Sequence, residues 1–347
     1  MNKPIELKWI DVDVGGDIHR VLFKGPPLDE SLSIRERMEW LSGPGDGLRK
    51  LLIEPPYGQP SFCVDMITPP QHPEAQAGFI IMEVMGYPFF SGSNTMATAC
   101  ALLEGGYLPL ETTQGEQCVR LEAPGGRVDA YAQLTGGHVT HVAVQGDEAF
   151  VQQSGAFVDV AGVGRVDYDL VWSGGHYVVV DAHALGLTPD AVGQAAGLAL
   201  AAQMITAVQA NFDCQHPWLG DVGLPRFLHW CWPAEEVSRG CWEAIGGTYG
   251  HPGVLWGCPT GTGTMARLAL MADQGVVEPG AVLRNTSPSG AMFEALYLSR
   301  GQVGDWPSVR ARVSGSPRVA GRVALSLPLT SPAIQPDRRH GLTGWRE

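Results

Sequence analysis

Two short segments, half a chain apart, read almost alike. The first is Ser91-Gly92-Ser93-Asn94-Thr95-Met96-Ala97 and the second is Thr260-Gly261-Thr262-Gly263-Thr264-Met265-Ala266. Glycine, threonine, methionine and alanine coincide, two further positions hold Ser or Thr in both, and the offset is 169 of 347 residues. Each segment opens a run rich in Ala, Leu and Met. Residues 95–104 run into Gly105-Gly106, and residues 264–274 run into Gly275. Glycine just past the last turn is a common helix stop. Apolar residues on every face predict helices buried nearly all round. The repeat therefore predicts two similar domains, each built about one buried helix, with a site between them.

Both helix starts carry hydroxyls and glycines. The first turn of a helix has amide N–H groups without intrahelical partners and sits at the positive end of the dipole. Such an end holds anions. Two of them facing each other can grip one carboxylate and still offer it a side chain from either side. The Gly-Thr-Gly-Thr run is not a phosphate loop, because it lacks the Gly-Lys-Ser/Thr ending that places a lysine on phosphates.

Short strands fill most of the rest, as 45 glycines and 26 prolines would suggest. Residues 6–12 and 19–24 flank Gly15-Gly16 as a hairpin, and 127–134 and 138–145 flank Thr135-Gly136-Gly137 as another. Residues 78–84 read as a buried strand, and 165–172 and 177–182 as a further pair. Helices are expected at 29–42 and at 188–202, the latter with Thr188 as cap and Pro189 in the first turn.

The net charge is −13 and no basic run stands out, which argues against nucleic-acid or anionic-membrane partners. The opening residues have no signal-peptide pattern, and no segment reaches the length of a membrane span, so a soluble cytoplasmic protein is expected. The seven cysteines are scattered without a CxxC pair, which suggests reduced core residues rather than zinc ligands or a redox pair. No dinucleotide fingerprint, metal-ligand pattern or Schiff-base lysine is evident. Neither a cofactor nor a metal is expected.

The two repeated segments resemble the helix starts of the proline racemase family. Its first pattern, Met-Cys-Gly-His-Gly-Thr, falls on Phe90-Ser91-Gly92-Ser93-Asn94-Thr95. Its second, Asp-Arg-Ser-Pro-Cys-Gly-Thr-Gly-Thr, falls on Trp256-Gly257-Cys258-Pro259-Thr260-Gly261-Thr262-Gly263-Thr264. Asp11 through Gly15-Gly16 resembles the family's opening, with Asp13 where His is usual. Gly25-Pro26-Pro27, Arg49 to Pro55, Gly86-Tyr87, Ala123-Pro124-Gly125-Gly126 and the Gly341 to Trp345 region also fit. Residues 213–255 fit poorly and crowd Trp218, Trp230, Trp232 and Trp242. The resemblance implies an α+β, diaminopimelate-epimerase-like fold of two pseudo-symmetric domains, each with β-structure around a central buried helix. The first is expected over 1–130 plus 322–347 around helix 95–104. The second is expected over 131–321 around helix 264–274. A homodimer and a small amino-acid substrate are implied with it.

The departures bear on the chemistry. The family's racemases and epimerases use both helix-start cysteines, one to remove the α-proton and one to return it on the opposite face. Those positions are Ser91 and Thr260 here. The family's trans-3-hydroxy-L-proline dehydratases carry Thr at the second position, as here, and normally Cys at the first. A thiol titrates near about pH 8.5, whereas a hydroxyl is far less acidic and needs a neighbouring base. Elimination asks less of the second group than two-base racemisation does. The leading expectation is dehydration of trans-3-hydroxy-L-proline or a related substrate. Racemisation or epimerisation, and a diverged binding or biosynthetic role, are the alternatives. The expected catalytic pair is Ser91 and Thr260, and the expected substrate contacts are Gly92, Ser93, Asn94, Trp256, Gly261, Thr262 and His176. His176 is the first choice of base. His216, His229, His251, Glu83, Asp213 and Cys258 are weaker ones, and Cys100 lies too deep in its helix.

Overall fold

A computed structural model describes residues 4–328 and Leu342; Gly341 and Trp345 lie outside the described residues, as do the other positions of 329–347 expected to complete the first domain. The chain opens with β1 (Ile5–Val14), β2 (Asp17–Lys24), α1 (Ile34–Ser42), α2 (Gly47–Ile53), β3 (Cys63–Thr68) and β4 (Ala77–Met82). Then come α3 (Gly92–Glu104), β5 (Gln114–Ala123), β6 (Gly126–Thr135) and β7 (His138–Gln145). Next are β8 (Ala149–Val160), β9 (Gly164–Trp172), β10 (His176–Asp181), α4 (Ala195–Gln209), β11 (Phe227–Cys231), β12 (Glu235–Ser238), β13 (Cys241–Gly250) and β14 (Val254–Leu255). Last are α5 (Gly261–Asp273), β15 (Val282–Thr286), β16 (Met292–Val303), β17 (Trp306–Gly315) and β18 (Arg318–Leu327). The architecture is α+β and diaminopimelate-epimerase-like. Both central helices have 13 residues, and their ends match across the 169-residue offset.

Contacts divide the chain into two units. One holds the described residues up to Phe89, Ser93–Val142 and those from Ser316. Its sheet runs β18-β1-β2-β3-β4-β5-β6. Strand β1 buries Leu7 and Trp9, then Ile10, Val12 and Val14. Its pairing with β2 slips between Lys8 and Trp9, where Phe23 of β2 is the extra, unpaired residue of a bulge. Helix α3 is buried from Ser93 to Leu103, as the apolar run requires.

The other unit holds Phe90–Gly92 and Ala143–Gly315. Its strands follow one another as β8-β9-β10-β11-β13-β15-β16-β17, and β17 pairs back onto β8. That circuit is closed, and α5 contacts β8, β9, β10, β13, β15, β16 and β17. Helix α5 is thus the core of a barrel. Helix α4 packs Met204, Ile205 and Val208 against Val178, Leu228, Trp230 and Tyr249. The poorly matching stretch 213–255 supplies two strands of this barrel, β11 and β13. Of its tryptophans, Trp230 is fully buried, Trp232 donates from Nε1 to the Leu187 carbonyl at 2.8 Å, and Trp218 is exposed.

Two expected helices begin later than the sequence pattern suggests. Helix α1 starts at Ile34, not residue 29, because Ser33 and Glu36 form a reciprocal capping box there. Thr188 is not the cap of the 188–202 helix. Its hydroxyl bonds Asp190 at 2.6 Å, a short 3-10 turn spans Ala191–Gly193, and α4 begins at Ala195 and continues to Gln209. Buried Ala201, Met204, Ile205 and Val208 carry the helical spacing past residue 202. Helix α2, between glycine-rich turns, escaped the sequence pattern altogether.

Candidate active site

Thr260 opens α5 in an unusual conformation. Its φ is 58° and its ψ 145°, the one positive φ outside glycine among the described residues. A β-branched residue pays about 1–3 kcal/mol for such a backbone, and strain of this kind gathers at functional sites. Local bonds hold it. Thr260 Oγ1 accepts from the Gly263 amide at 3.0 Å and caps the helix. Its carbonyl accepts from the Thr264 amide at 3.0 Å and the Thr264 hydroxyl at 2.8 Å.

A second set of bonds lies behind Thr260. Its Oγ1 is 2.8 Å from Thr248 Oγ1, which is 2.8 Å from His229 Nδ1. Thr248 Oγ1 is also 3.1 Å from the Pro259 carbonyl. His229 on β11 and Thr248 on β13 are direct cross-strand partners, so their side chains share a face. Both are fully buried. Burial, and then the charge of Arg267, push the His229 imidazole down to about 3, so it is neutral at ordinary pH.

Phe90–Gly92 packs with the same unit. A Cβ on Gly92 would sit 2.9 Å from Gly261 Cα, and one on Gly261 would sit 2.8 Å from Gly92 Cα. Only two glycines allow that approach of main chain to main chain. The residues just before them are Ser91 and Thr260, so the repeat brings its two hydroxyl positions into one neighbourhood. The Gly261 and Thr262 amides belong to the first turn of α5, which lacks intrahelical acceptors.

Thr262 is held from two sides. Its hydroxyl is 2.5 Å from the Tyr177 hydroxyl, and its carbonyl accepts from Ser173 Oγ at 2.8 Å. At Gly174, whose φ is 70°, a Cβ would sit 3.0 Å from Phe90 and from Thr262, so only glycine fits there. Tyr177 stacks on Phe227 with centroids 4.7 Å apart, and Phe227 meets Trp256 at 6.2 Å. The Trp256 indole is buried and lies over Gly250, where any Cβ would collide with it.

The other expected residues are placed as follows. His176 begins β10, buried and edge-on to Trp172 and Phe212, with neither ring nitrogen hydrogen-bonded among the described residues; burial pushes it down to about 4. His216 accepts the Trp218 and Leu219 amides at 3.2 and 3.0 Å and orders a turn. His251 is a half-buried ring near Tyr249. Asp213 lines a small cavity of about 80 Å³ with Phe212 and Cys214. Cys258 is buried, and burial pushes the Cys100 thiol up to about 12.

Ser93 and Asn94 are counted with the first unit, and both are buried. Asn94 Nδ2 donates to Glu83 Oε1 at 2.5 Å, and its Oδ1 is 3.0 Å from His19 Nδ1. Burial raises Glu83 to about 7, against the pull of its bonds with Asn94 and Cys63. Asp65, with both oxygens buried and without a hydrogen bond among the described residues, is held well above the carboxylate range by burial and then by Glu83. No group of three or more His, Cys, Asp or Glu that could hold a metal occurs among the described residues. No helix is long and apolar enough to cross a membrane among them.

The His229–Thr248 pair was the residue signal least visible in the sequence. His229 sits among apolar strand residues as one histidine of ten, and Thr248 carries no motif. Their relation exists only through the β11–β13 register.

Known proteins share this sequence pattern and this fold. The sequence profile of the family described as "Proline racemase" matches residues 9–334. A protein of Marinobacter nauticus is 38% identical over 348 residues, covering 100% of this chain and 98% of that one. A 4-hydroxyproline 2-epimerase of Agrobacterium fabrum is 28% identical, over 89% of this chain and 88% of its own. The crystal structure of a hydroxyproline epimerase from Agrobacterium vitis, with bound trans-4-OH-L-proline, superposes with a TM-score of 0.85 at 25% identity, covering 96% of this chain and 95% of that one.

Proposed function

The chain belongs to the proline racemase family, and from that premise we propose that it acts at the α-carbon of a proline-like amino acid, dehydrating trans-3-hydroxy-L-proline or a close relative. The observation that carries this reading is the pair of hydroxyls where the family's isomerases use thiols. Ser91 and Thr260 flank two glycines in main-chain contact. Amides at the start of α5 would receive the carboxylate.

Returning a proton on the opposite face needs a second acid near neutral pH, and a threonine hydroxyl is a poor one. Elimination needs one base and a held leaving group. Ser91 first gives its own proton to a neighbouring base; the α C–H bond then breaks toward Ser91 and its electron pair forms the ring double bond. The β C–O bond breaks, and the oxygen takes up a proton and leaves as water. The enamine so formed tautomerises to the cyclic imine. The role of Thr260 is to hold the β-hydroxyl.

The test is purified protein with trans-3-hydroxy-L-proline in deuterated water. A pyrroline product is expected, and Ser91→Ala should abolish it. A second reading, epimerisation, draws on the similarity to hydroxyproline epimerases. It predicts inversion of trans-4-hydroxy-L-proline with solvent deuterium at the α-carbon and no loss of water. Absence of both exchange and turnover would leave a binding role and overturn both readings.

A further inference from the structure

A threonine hydroxyl can meet a ligand as donor or as acceptor, and the bonds behind Thr260 decide between the two. The order can be read from the far end. Thr264 spends its proton on the Thr260 carbonyl at 2.8 Å, so its oxygen accepts from Asn285 Nδ2 at 3.2 Å. Asn285 Oδ1 is thereby turned the other way, buried and without a partner among the described residues. His229 Nε2 is also buried and unpartnered. Both face one small space over Gly246, where a Cβ would sit 2.6 Å from Nε2 and 2.7 Å from Oδ1.

A buried acceptor beside Nε2 favours the tautomer with the proton on Nε2. Nδ1 then carries a lone pair and accepts the Thr248 proton at 2.8 Å. The Pro259 carbonyl, at 3.1 Å, is the longer alternative for that proton. Thr248 oxygen in turn accepts from the Thr260 hydroxyl at 2.8 Å. Thr260 already accepts the Gly263 amide, so one lone pair is left to meet a ligand. Space for this relay is reserved by a second glycine. A Cβ on Gly263 would sit 2.5 Å from both threonine hydroxyls and 2.7 Å from His229 Nδ1.

We infer that His229 is a positioning residue that, through Thr248, fixes Thr260 as a hydrogen-bond acceptor and so selects substrates that bring a hydroxyl donor on the ring carbon next to the α-carbon. The inference rests on the proposed reading that Thr260 holds the β-hydroxyl. It adds that the hydroxyl is held by its own proton, and that the proton needed for its departure comes from another group.

The test begins with the full-length protein labelled with ¹⁵N-histidine. Long-range proton–nitrogen spectra should show His229 protonated at Nε2 and bare at Nδ1 across the neutral range, its signals being those lost in His229→Asn. A proton on Nδ1 overturns the proposal, whatever the substrate proves to be. Kinetics form the second arm. Asparagine can place an oxygen where Nδ1 sits, so His229→Asn should keep most of kcat/KM for trans-3-hydroxy-L-proline. His229→Leu and Thr248→Val should each lose about tenfold, the scale of one directed hydrogen bond. Equal kcat/KM for the Asn and Leu variants would overturn the proposal even with the expected tautomer. The expected tautomer in a protein that turns over no 3-hydroxyproline would instead refute the dehydratase reading and, with it, the claim about substrate choice.

Discussion

Adding one methyl group at Gly261 should damage turnover far more than stability. The Cβ of Gly261→Ala would lie 2.8 Å from Gly92 Cα, 3.3 Å from its carbonyl carbon and 3.4 Å from its nitrogen. Carbon atoms settle at about 3.5–4.0 Å. The two backbones must therefore part by roughly 1 Å, and neither is the free end of a flexible side chain. Overpacking of this size costs about 1–3 kcal/mol. A displacement of about 1 Å between reacting groups can cost about a hundredfold in rate. Urea unfolding should show a loss within that range, and α-proton exchange into deuterated water should fall by about two orders of magnitude. An alanine variant with wild-type exchange would refute the claim that the contact of these glycines sets the Ser91–Thr260 geometry. A variant that does not fold would refute the estimate of the strain.

Three other outcomes follow from the same structure. Glu83 titrates at about 7 when folded but at 4.5 when unconstrained, so its contribution to stability is full below pH 4.5 and is lost as pH rises through about 7, about 3 kcal/mol in all. Glu83→Gln should therefore gain on the wild type above neutrality in urea titrations, and a pH-independent difference would contradict this. Trp230→Ala empties the barrel side that α4 covers and should cost about 3–5 kcal/mol by the same assay; a loss under about 1 kcal/mol would mean that Trp230 is not part of that core. Thr260→Gly relieves the positive φ, about 1–3 kcal/mol, but forfeits the side-chain cap and adds freedom to the unfolded chain, roughly 1 kcal/mol together and of opposite sign. Its thermal midpoint should stay within a few degrees of wild type while turnover is lost, and retained turnover would remove Thr260 from the chemistry.

The paired helices were legible because burial on all faces leaves a composition that surface helices do not share. The hairpins at Gly15-Gly16 and at Gly136-Gly137 were legible because both glycines in each adopt positive φ. The start of α4 was not, because Thr188 and Pro189 make a credible helix opening, yet the chain forms a separate 3-10 turn first. At the site, Thr260 and Thr262 could be named from the repeat. His229 could not be preferred over His176, since both follow aromatic or glycine-rich stretches. What distinguishes them is which strand lies opposite. Thr248 stands across from His229, whereas Trp172 stands across from His176. Such pairings join residues that no local pattern connects.

The pairing of β1 with β18, Ile5 opposite Leu327, has a consequence for how the chain matures. The strand made first waits for the last described strand, while the whole closed circuit from β8 to β17 is synthesised in between. Contacts so distant in sequence slow folding, and an unpaired strand edge invites aggregation during the delay. A fragment ending near residue 142 should therefore be poorly soluble. Co-expressing it with the remainder should restore solubility by letting Arg318–Leu327 dock in trans.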